Sequence, residues 1–258
     1  MNSSQILESV TDFCQIRNKG TALENGDEVT PRLYYILGLL EKCGIDSELD
    51  SFKAGMKDNL FHNVLMKGNS GYMIMAHHDV VNSKSENAND NSASVICAIC
   101  IKYLFPELNV VLTDGEEVGM DGSKRIASQI KNGEFGEIEW VLNLELCGLG
   151  GDNFIVGKTG TPLQKRLSSL FSAPAFHTPP SDCYPLLKEK INTTVINPMP
   201  FHEDGTPNNS NWANCHTMGD TLDKIDIDDM ERFVVNVLAR FLISEENKCQ
   251  KLTKKFKS

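Results

Sequence analysis

The sequence contains no apolar run of the roughly 18–20 residues that a helix needs to cross a bilayer. Its amino terminus has neither a basic start nor a long apolar stretch, which predicts that the chain carries no signal peptide. Basic residues are also scarce, with 25 lysines and arginines against 35 aspartates and glutamates and a net charge of −10. This balance disfavours nucleic acid or an anionic membrane as a partner.

Repeats, low-complexity tracts and obvious interdomain linkers are absent as well. At 258 residues the chain can bury a substantial core. The eight cysteines are scattered, and without a secretion signal they predict reduced thiols and a cytoplasmic protein. Cys97 and Cys100 form a C-x-x-C pair, but the surrounding V-I-C-A-I-C-I indicates a buried helix face rather than a redox or zinc site.

Short apolar or β-branched runs alternate with segments of helical spacing along most of the chain. Helices are predicted at 6–16, 31–43, 92–105, 121–131, 161–172 and 226–243, and strands at 61–66, 72–77, 108–113, 139–145, 153–157 and 193–197. Strands that alternate with helices predict an α/β domain with a mostly parallel or mixed central sheet. The Pro-, Asn- and Gly-rich stretch 197–214 is predicted to be a surface loop.

Five short segments with histidine or carboxylate residues lie at the ends of apolar runs. They are A-H-H-D-V (76–80), N-D-N-S-A-S (89–94), T-D-G-E-E-V-G (113–119), N-L-E-L-C-G (143–148) and C-H-T-M-G-D-T (215–221). In α/β sheets, ligands collect beyond the carboxyl ends of the strands, so these segments are expected to meet there. Together they supply enough histidines and carboxylates to hold two zinc ions and leave one base over.

The first two segments each have two interpretations. In an extended strand His77 and Asp79 point to one side and His78 to the other, so Asp79 can orient His77 as a metal-binding imidazole. The alternative is a buried histidine with ordinary partners. Asp90 could cap the helix that it precedes. Its segment has more capping residues than one helix can use, so its carboxylate could instead bridge two cations.

The other three segments differ in how much they indicate alone. At a strand end, one of the adjacent Glu116 and Glu117 can bind metal while the other holds a water molecule. A solvated acidic turn is the alternative. Glu145 lies in the apolar W-V-L-N-L-E-L-C and needs a partner such as a metal or an arginine, because an unpaired buried carboxylate is costly. His216 follows the long loop and indicates little by itself.

Taken in order, the five segments resemble the co-catalytic zinc peptidases of metallopeptidase family 28. The usual motifs of that family are A-H-x-D, A-N-D-N-A-S-G, D-G-E-E-x-G-L-x-G-S, N-L-D-M-x-G and Y-H-T-x-x-D-T. The family includes aminopeptidases, glutamate carboxypeptidase II and glutaminyl cyclases. The resemblance covers residues 60–240 and extends to N-V-L-M-K-G (63–68) and S-D-C-Y-P-L-L (181–187).

The resemblance implies five ligands for two zinc ions: His77, Asp90, Glu117, Glu145 and His216. His77 and Glu145 would hold one ion. Glu117 and His216 would hold the other, and Asp90 would bridge both. The two ions would activate a water molecule for attack on the substrate carbonyl.

The resemblance also implies roles around the metals. Glu116 would be the general base, taking a proton from the water and passing it to the leaving amine. Asp79 would support the metal-binding His77. A cis peptide is implied for the bond that follows the bridging aspartate, Asp90–Asn91.

Three positions depart from the family pattern. Glu145 stands where an aspartate is usual, which lengthens that ligand by one methylene. Cys215 stands where a tyrosine is usual, and a thiol is a poorer donor to an oxyanion than a phenol. The third change, D-N-S-A-S for D-N-A-S-G, is mild.

Spacing favours one compact zinc-exopeptidase-like domain over residues 1–258, with a mixed central β-sheet flanked by helices in three layers. His77 and Asp90 are too close in sequence for an inserted domain between them. The residues from Glu145 to His216 are needed for strands and helices of the core, so no lid domain fits there either. The favoured activity is an aminopeptidase that acts on peptide substrates. A single-zinc glutaminyl cyclase and a catalytically silent binding protein on this fold are the alternatives.

The sequence assigns no substrate-binding residue, side-chain specificity or oligomeric state. Asp182 and Glu203 are only candidates for binding the α-amine of a substrate.

Overall fold

The computed structural model describes residues 1–16, 30–55, 59–81 and 84–255. Its helices are α1 (Ser3–Glu8), α2 (Val10–Gln15), α3 (Pro31–Cys43), α4 (Ala93–Leu104), α5 (Asp121–Lys131), α6 (Pro162–Phe171), α7 (Cys183–Lys188), α8 (Ile227–Arg232) and α9 (Arg240–Lys255). Its strands are β1 (Glu48–Ala54), β2 (Asn59–Met66), β3 (Tyr72–His77), β4 (Asn109–Thr113), β5 (Trp140–Leu144), β6 (Phe154–Gly157), β7 (Ala175–Phe176) and β8 (Thr193–Pro198). The turn Ala88–Ser92 precedes α4, the π-helical segment Phe233–Ala239 precedes α9, and two 3-10 turns cover Asn209–Asn214 and Leu222–Lys224.

In the described residues, eight strands form one mixed sheet in the order β1-β2-β4-β3-β5-β8-β6-β7. The central strands β4, β3, β5 and β8 run parallel to one another. On the flanks, β2 is antiparallel to β1 and β4, and β6 is antiparallel to β8. Parallel strands need crossover connections; α4 connects β3 to its neighbour β4, and α5 connects β4 to β5 on the other side of β3. The carboxyl ends of four central strands therefore lie along one edge of the sheet.

The central strand β3 is buried on both faces, as strands of a parallel sheet covered by helices are. Tyr72, Ile74 and Ala76 pack into the larger hydrophobic core, which α1–α4, α6, α8 and α9 cover. Met73 and Met75 pack into a smaller core on the opposite face, under α5 and α7. Helices on both sides of the sheet confirm the predicted α/β fold with three layers.

The ends of α3 follow from its sequence. Thr30 caps its first turn by accepting a hydrogen bond from the backbone N–H of Leu33 at 3.2 Å. Pro31 occupies the first helical position, where a missing N–H costs nothing. Gly44 ends the helix with a φ of 66°, a left-handed conformation that glycine adopts without steric cost. These signals set where α3 begins and ends.

The described residues also bear on the cysteines and on membrane insertion. Cys97 and Cys100 lie buried in α4, as the apolar pattern predicted, and neither forms a disulfide. Among the described helices, none is both long and apolar enough to span a bilayer.

Candidate metal centre

The five predicted metal ligands meet at the carboxyl edge of the parallel strands. His77 is the last residue of β3, and Glu145 directly follows β5. Glu117 lies in the turn between β4 and α5, and Asp90 lies in the turn that leads into α4. His216 comes after the 3-10 turn that follows β8. The order of the strands in the sheet therefore brings five distant segments to one place.

Asp90 lies between the two histidines. Its Oδ1 is 3.3 Å from Nε2 of His77, and its Oδ2 is 3.3 Å from Nε2 of His216. Nε2 of His77 is also 3.5 Å from Oε2 of Glu145, and Nε2 of His216 is 3.0 Å from Oε2 of Glu117. Two groups of three side chains thus share one carboxylate, and within each group the possible ligand atoms lie within 4.8 Å of one another.

The donor set fits a divalent metal. Imidazole nitrogens and carboxylate oxygens are the ligands that zinc takes from histidine, aspartate and glutamate. Oε1 of Glu117 is buried and has no hydrogen-bond partner in the described part of the chain. Buried carboxylates packed this closely repel one another unless a cation lies among them. The residues present therefore suit the zinc that the resemblance implies.

Asp79 connects His77 to the turn that carries the two glutamates. Oδ1 of Asp79 lies 3.4 Å from Nδ1 of His77, on the far side of the ring from Asp90. The same carboxylate accepts the backbone N–H of Glu116 at 3.2 Å and that of Glu117 at 3.0 Å. His78 points elsewhere, with its Nε2 2.8 Å from the carbonyl oxygen of His62. Asp79 thus fixes the orientation of the imidazole and the position of both glutamates.

The bond between Asp90 and Asn91 is cis, as the resemblance implied. The Asn91 side chain connects this turn to the end of β5. Its Nδ2 donates to the carbonyl oxygen of Leu144 at 3.1 Å, and its Oδ1 accepts the N–H of Leu146 at 3.1 Å. Leu144 and Leu146 flank Glu145. The Asn91 amide therefore holds the backbone of Glu145 next to the turn that contains Asp90.

Asp220 binds the backbone of the turn that contains Asp90, and the sequence did not predict a role for this residue. Its Oδ1 accepts the backbone N–H of Asn89 at 2.8 Å, and its Oδ2 accepts that of Asp90 at 3.0 Å. Burial raises the pKa of Asp220 to about 6. The available signal was its place in C-H-T-M-G-D-T, the segment that also contains His216.

Burial and close charges shift the protonation of the metal-free site. Burial raises the pKa of Glu116 to about 9 and that of Glu117 to about 7, although the nearby His77 opposes both shifts. A hydrogen bond to Asp90 raises the pKa of His216 to about 9. Near neutral pH Glu116 and His216 are therefore protonated and Glu117 is partly protonated, and a bound cation would displace these protons.

The site opens into a cavity of about 390 Å³. Away from the five candidate metal ligands, the wall of the cavity is mainly apolar. Lysine and arginine are absent from the described residues that line it. The apolar lining comes chiefly from Met120, Leu146, Pro179, Pro180, Val195 and Trp212. The Asn197 amide accepts a hydrogen bond from Nε1 of Trp212 at 3.1 Å when its oxygen faces the indole, which holds that ring in the wall.

Neither candidate for binding an α-amine lines this cavity. Asp182 is fully buried and accepts a hydrogen bond from Oγ1 of Thr113. Glu203 is exposed and lies away from the residues of the cavity wall. The structure therefore gives no support to either candidate, because the α7 segment turns Asp182 inward and the loop after β8 turns Glu203 toward solvent.

The model of peptidase family M28 matches residues 59–240, and the chain therefore belongs to this family of metallopeptidases. No sequence of a curated protein matches the chain.

Solved structures show the same fold at low sequence identity. The Legionella pneumophila LapA aminopeptidase is 16% identical with a TM-score of 0.68, over 90% of this chain and 68% of that one. The Porphyromonas gingivalis glutaminyl cyclase is 14% identical with a TM-score of 0.70, over 95% of this chain and 98% of that one. BSAP, a zinc aminopeptidase from Bacillus subtilis, is 16% identical with a TM-score of 0.56, over 69% of this chain and 48% of that one.

Proposed function

We propose that this protein is a zinc-dependent aminopeptidase that holds two metal ions and releases the N-terminal residue of peptides. The observation that carries the proposal is the position of Asp90, whose two oxygens face different histidines. His77 and Glu145 would complete one zinc site, and Glu117 and His216 the other. A carboxylate placed in this way suits a pair of ions better than a single one.

Glu116 is proposed as the general base. It lines the cavity, and a possible ligand atom of its carboxylate lies within 4.8 Å of those of His77 and Glu117. Bound zinc would supply a Lewis acid for the substrate carbonyl and would lower the pKa of water. The Glu116 carboxylate would take the proton of the attacking water and donate it to the leaving amine. Asp79 keeps Glu116 in place through its backbone N–H.

The cavity wall supports an uncharged, apolar N-terminal side chain as the preferred substrate feature. Met120, Val195 and Trp212 provide apolar surface, while the described lining has no lysine or arginine to pair with an acidic substrate residue. An acidic side chain would also face the carboxylates of the site. Leucyl, methionyl and phenylalanyl peptides are therefore the proposed substrates.

The test is the release of amino acids from short peptides by zinc-loaded protein and by the Glu116→Gln variant. The amide cannot accept the proton, so the variant is expected to lose release while it keeps its zinc. Glu137→Gln, at an exposed residue before β5, is the matched control and is expected to stay active. Release by Glu116→Gln at the wild-type rate would contradict the assignment of the base.

Glutaminyl cyclisation is the second candidate function. The similarity to the Porphyromonas gingivalis glutaminyl cyclase extends over nearly the whole of both chains, whereas the LapA aminopeptidase is longer than this protein. A peptide that begins with glutamine separates the two activities. A peptidase releases free glutamine, whereas a cyclase releases ammonia and leaves the peptide bond intact.

A further inference from the structure

A buried arginine lies directly behind the segments that carry the predicted ligands. Arg32 is the second residue of α3 and lies outside residues 59–240, which the family model matches. Its side chain is buried. Nε of Arg32 donates to the carbonyl oxygen of His78 at 3.2 Å, and Nη2 donates to Oγ of Ser92 at 3.0 Å.

These two hydrogen bonds connect two ligand segments that are otherwise separate in the chain. The carbonyl of His78 lies between His77 and Asp79, so the first bond fixes the backbone at the end of β3. Ser92 closes the turn that contains Asp90, and its hydroxyl donates to the carbonyl oxygen of Asn87 at 2.6 Å. The guanidinium therefore donates one hydrogen bond to each of the two segments.

The guanidinium also brings a positive charge close to buried carboxylates. Burial lowers the pKa of Arg32 to about 10, so the group stays charged at neutral pH, and Asp79 and Asp220 act on it as opposite charges. The Phe13 ring lies 3.9 Å below the guanidinium carbon, a cation–π contact that compensates part of its desolvation. Both carboxylates contact the ligand segments, Asp79 at His77 and Asp220 at the Asp90 turn.

We propose that Arg32 is a positioning residue for the metal centre, holding the His77 and Asp90 segments at the separation that a shared metal ion requires. This inference rests on the metal binding proposed above. Lysine at this position would keep the charge but lacks the planar fork that reaches both acceptors. Methionine would remove the charge and both hydrogen bonds.

The test compares zinc affinity and metal-free stability in Arg32→Lys, Arg32→Met and a matched control, Lys102→Met. Lys102 is also a buried cation, and its Nζ donates to the carbonyl oxygens of Lys67, Pro106 and Leu108. These carbonyl groups either follow β2 or precede β4, at the edge of the sheet opposite the metal centre. Loss of either cation is expected to lower the melting temperature of the metal-free protein.

Only the Arg32 variants are expected to lose zinc affinity, as measured by competition with a chromophoric chelator. The expected loss is about 10–100-fold for Arg32→Met, the range for residues that orient metal ligands, and less for Arg32→Lys. Affinities in both Arg32 variants equal to that of Lys102→Met would overturn the inference. If Arg32→Met does not fold, the comparison of Arg32→Lys with Lys102→Met decides. A wild-type protein that binds no zinc would contradict the proposed function itself.

Discussion

Asp90 connects the two halves of the site at the scale of single residues. Its side chain reaches His77 with one oxygen and His216 with the other. Its backbone N–H is bound by Asp220. Burial would raise the pKa of the Asp90 carboxyl, but the hydrogen bonds with the two histidines hold it below its ordinary value. Asp90 is therefore ionised at neutral pH, and each of its oxygens is available to bind a cation.

Trp212 is expected to decide the preference for large apolar substrate residues. Truncation in Trp212→Ala removes indole surface from the cavity wall, so kcat/KM for a leucyl peptide is expected to fall about tenfold or more. An alanyl peptide, which reaches less of the wall, is expected to change less. Tyr184→Ala, at an exposed ring outside the lining, is the control. An equal loss with both peptides would show that Trp212 does not set specificity.

Candidate site residues could be predicted from the sequence where the chemistry is local, although their roles stay predictions. Glu116 and Glu117 lie in one short motif, and their positions follow from the end of β4. Arg32 could not be found in this way, because its acceptors are 46 and 60 positions away along the chain. Asp220 was missed since aspartate in a turn is common, and only the fold brings it to the Asp90 turn.

At the scale of elements, the buried parallel strands were the easiest to predict. The expected ranges 72–77 and 31–43 agree with β3 and α3, because apolar runs and helix caps are clear there. β1 was missed, since E-L-D-S-F-K-A at the sheet edge mixes charged and apolar residues and depends on pairing with β2. α7 was missed because six residues with an internal proline show no helical period.

The turn before α4 is expected to depend on Asp220 for its stability. Asp220→Asn leaves one acceptor oxygen for the N–H groups of Asn89 and Asp90, so one buried donor loses its partner. The cost is expected to be about 1–3 kcal/mol in the free energy of unfolding, measured with urea on metal-free protein. Asp223→Asn, at a nearby exposed aspartate, is the control. Equal stability of the two variants would contradict this role.

At the scale of the whole molecule, the strand order explains why one edge of the sheet holds the site. Parallel β4, β3, β5 and β8 end together, and the segments that follow them carry the predicted ligands. The α/β class could be predicted from the sequence and is confirmed, whereas the roles of the predicted site residues stay predictions. The single-domain organisation without an inserted lid stays a prediction, as does the cytoplasmic location.

Metal affinity of the whole protein is expected to rise with pH. Glu117 has a pKa raised to about 7 and His216 a pKa raised to about 9 in the metal-free site, so both are largely protonated at pH 6. Zinc needs their deprotonated forms, and protons therefore compete with the metal more strongly as pH falls. Zinc titrations at pH 6, 7 and 8 are expected to show progressively tighter binding. Affinity that does not change with pH would contradict the proposed ligands.

The central claim is that the two groups sharing Asp90 hold two metal ions at once. Native mass spectrometry of zinc-loaded wild-type protein tests it most directly, because the bound metal is counted on each chain. The Asp90→Asn variant, which lacks the bridging charge, and Asp46→Asn, at an exposed residue, serve as comparisons. The account predicts about two zinc ions in wild type and Asp46→Asn and fewer in Asp90→Asn. One ion or none in wild type would contradict the dinuclear site.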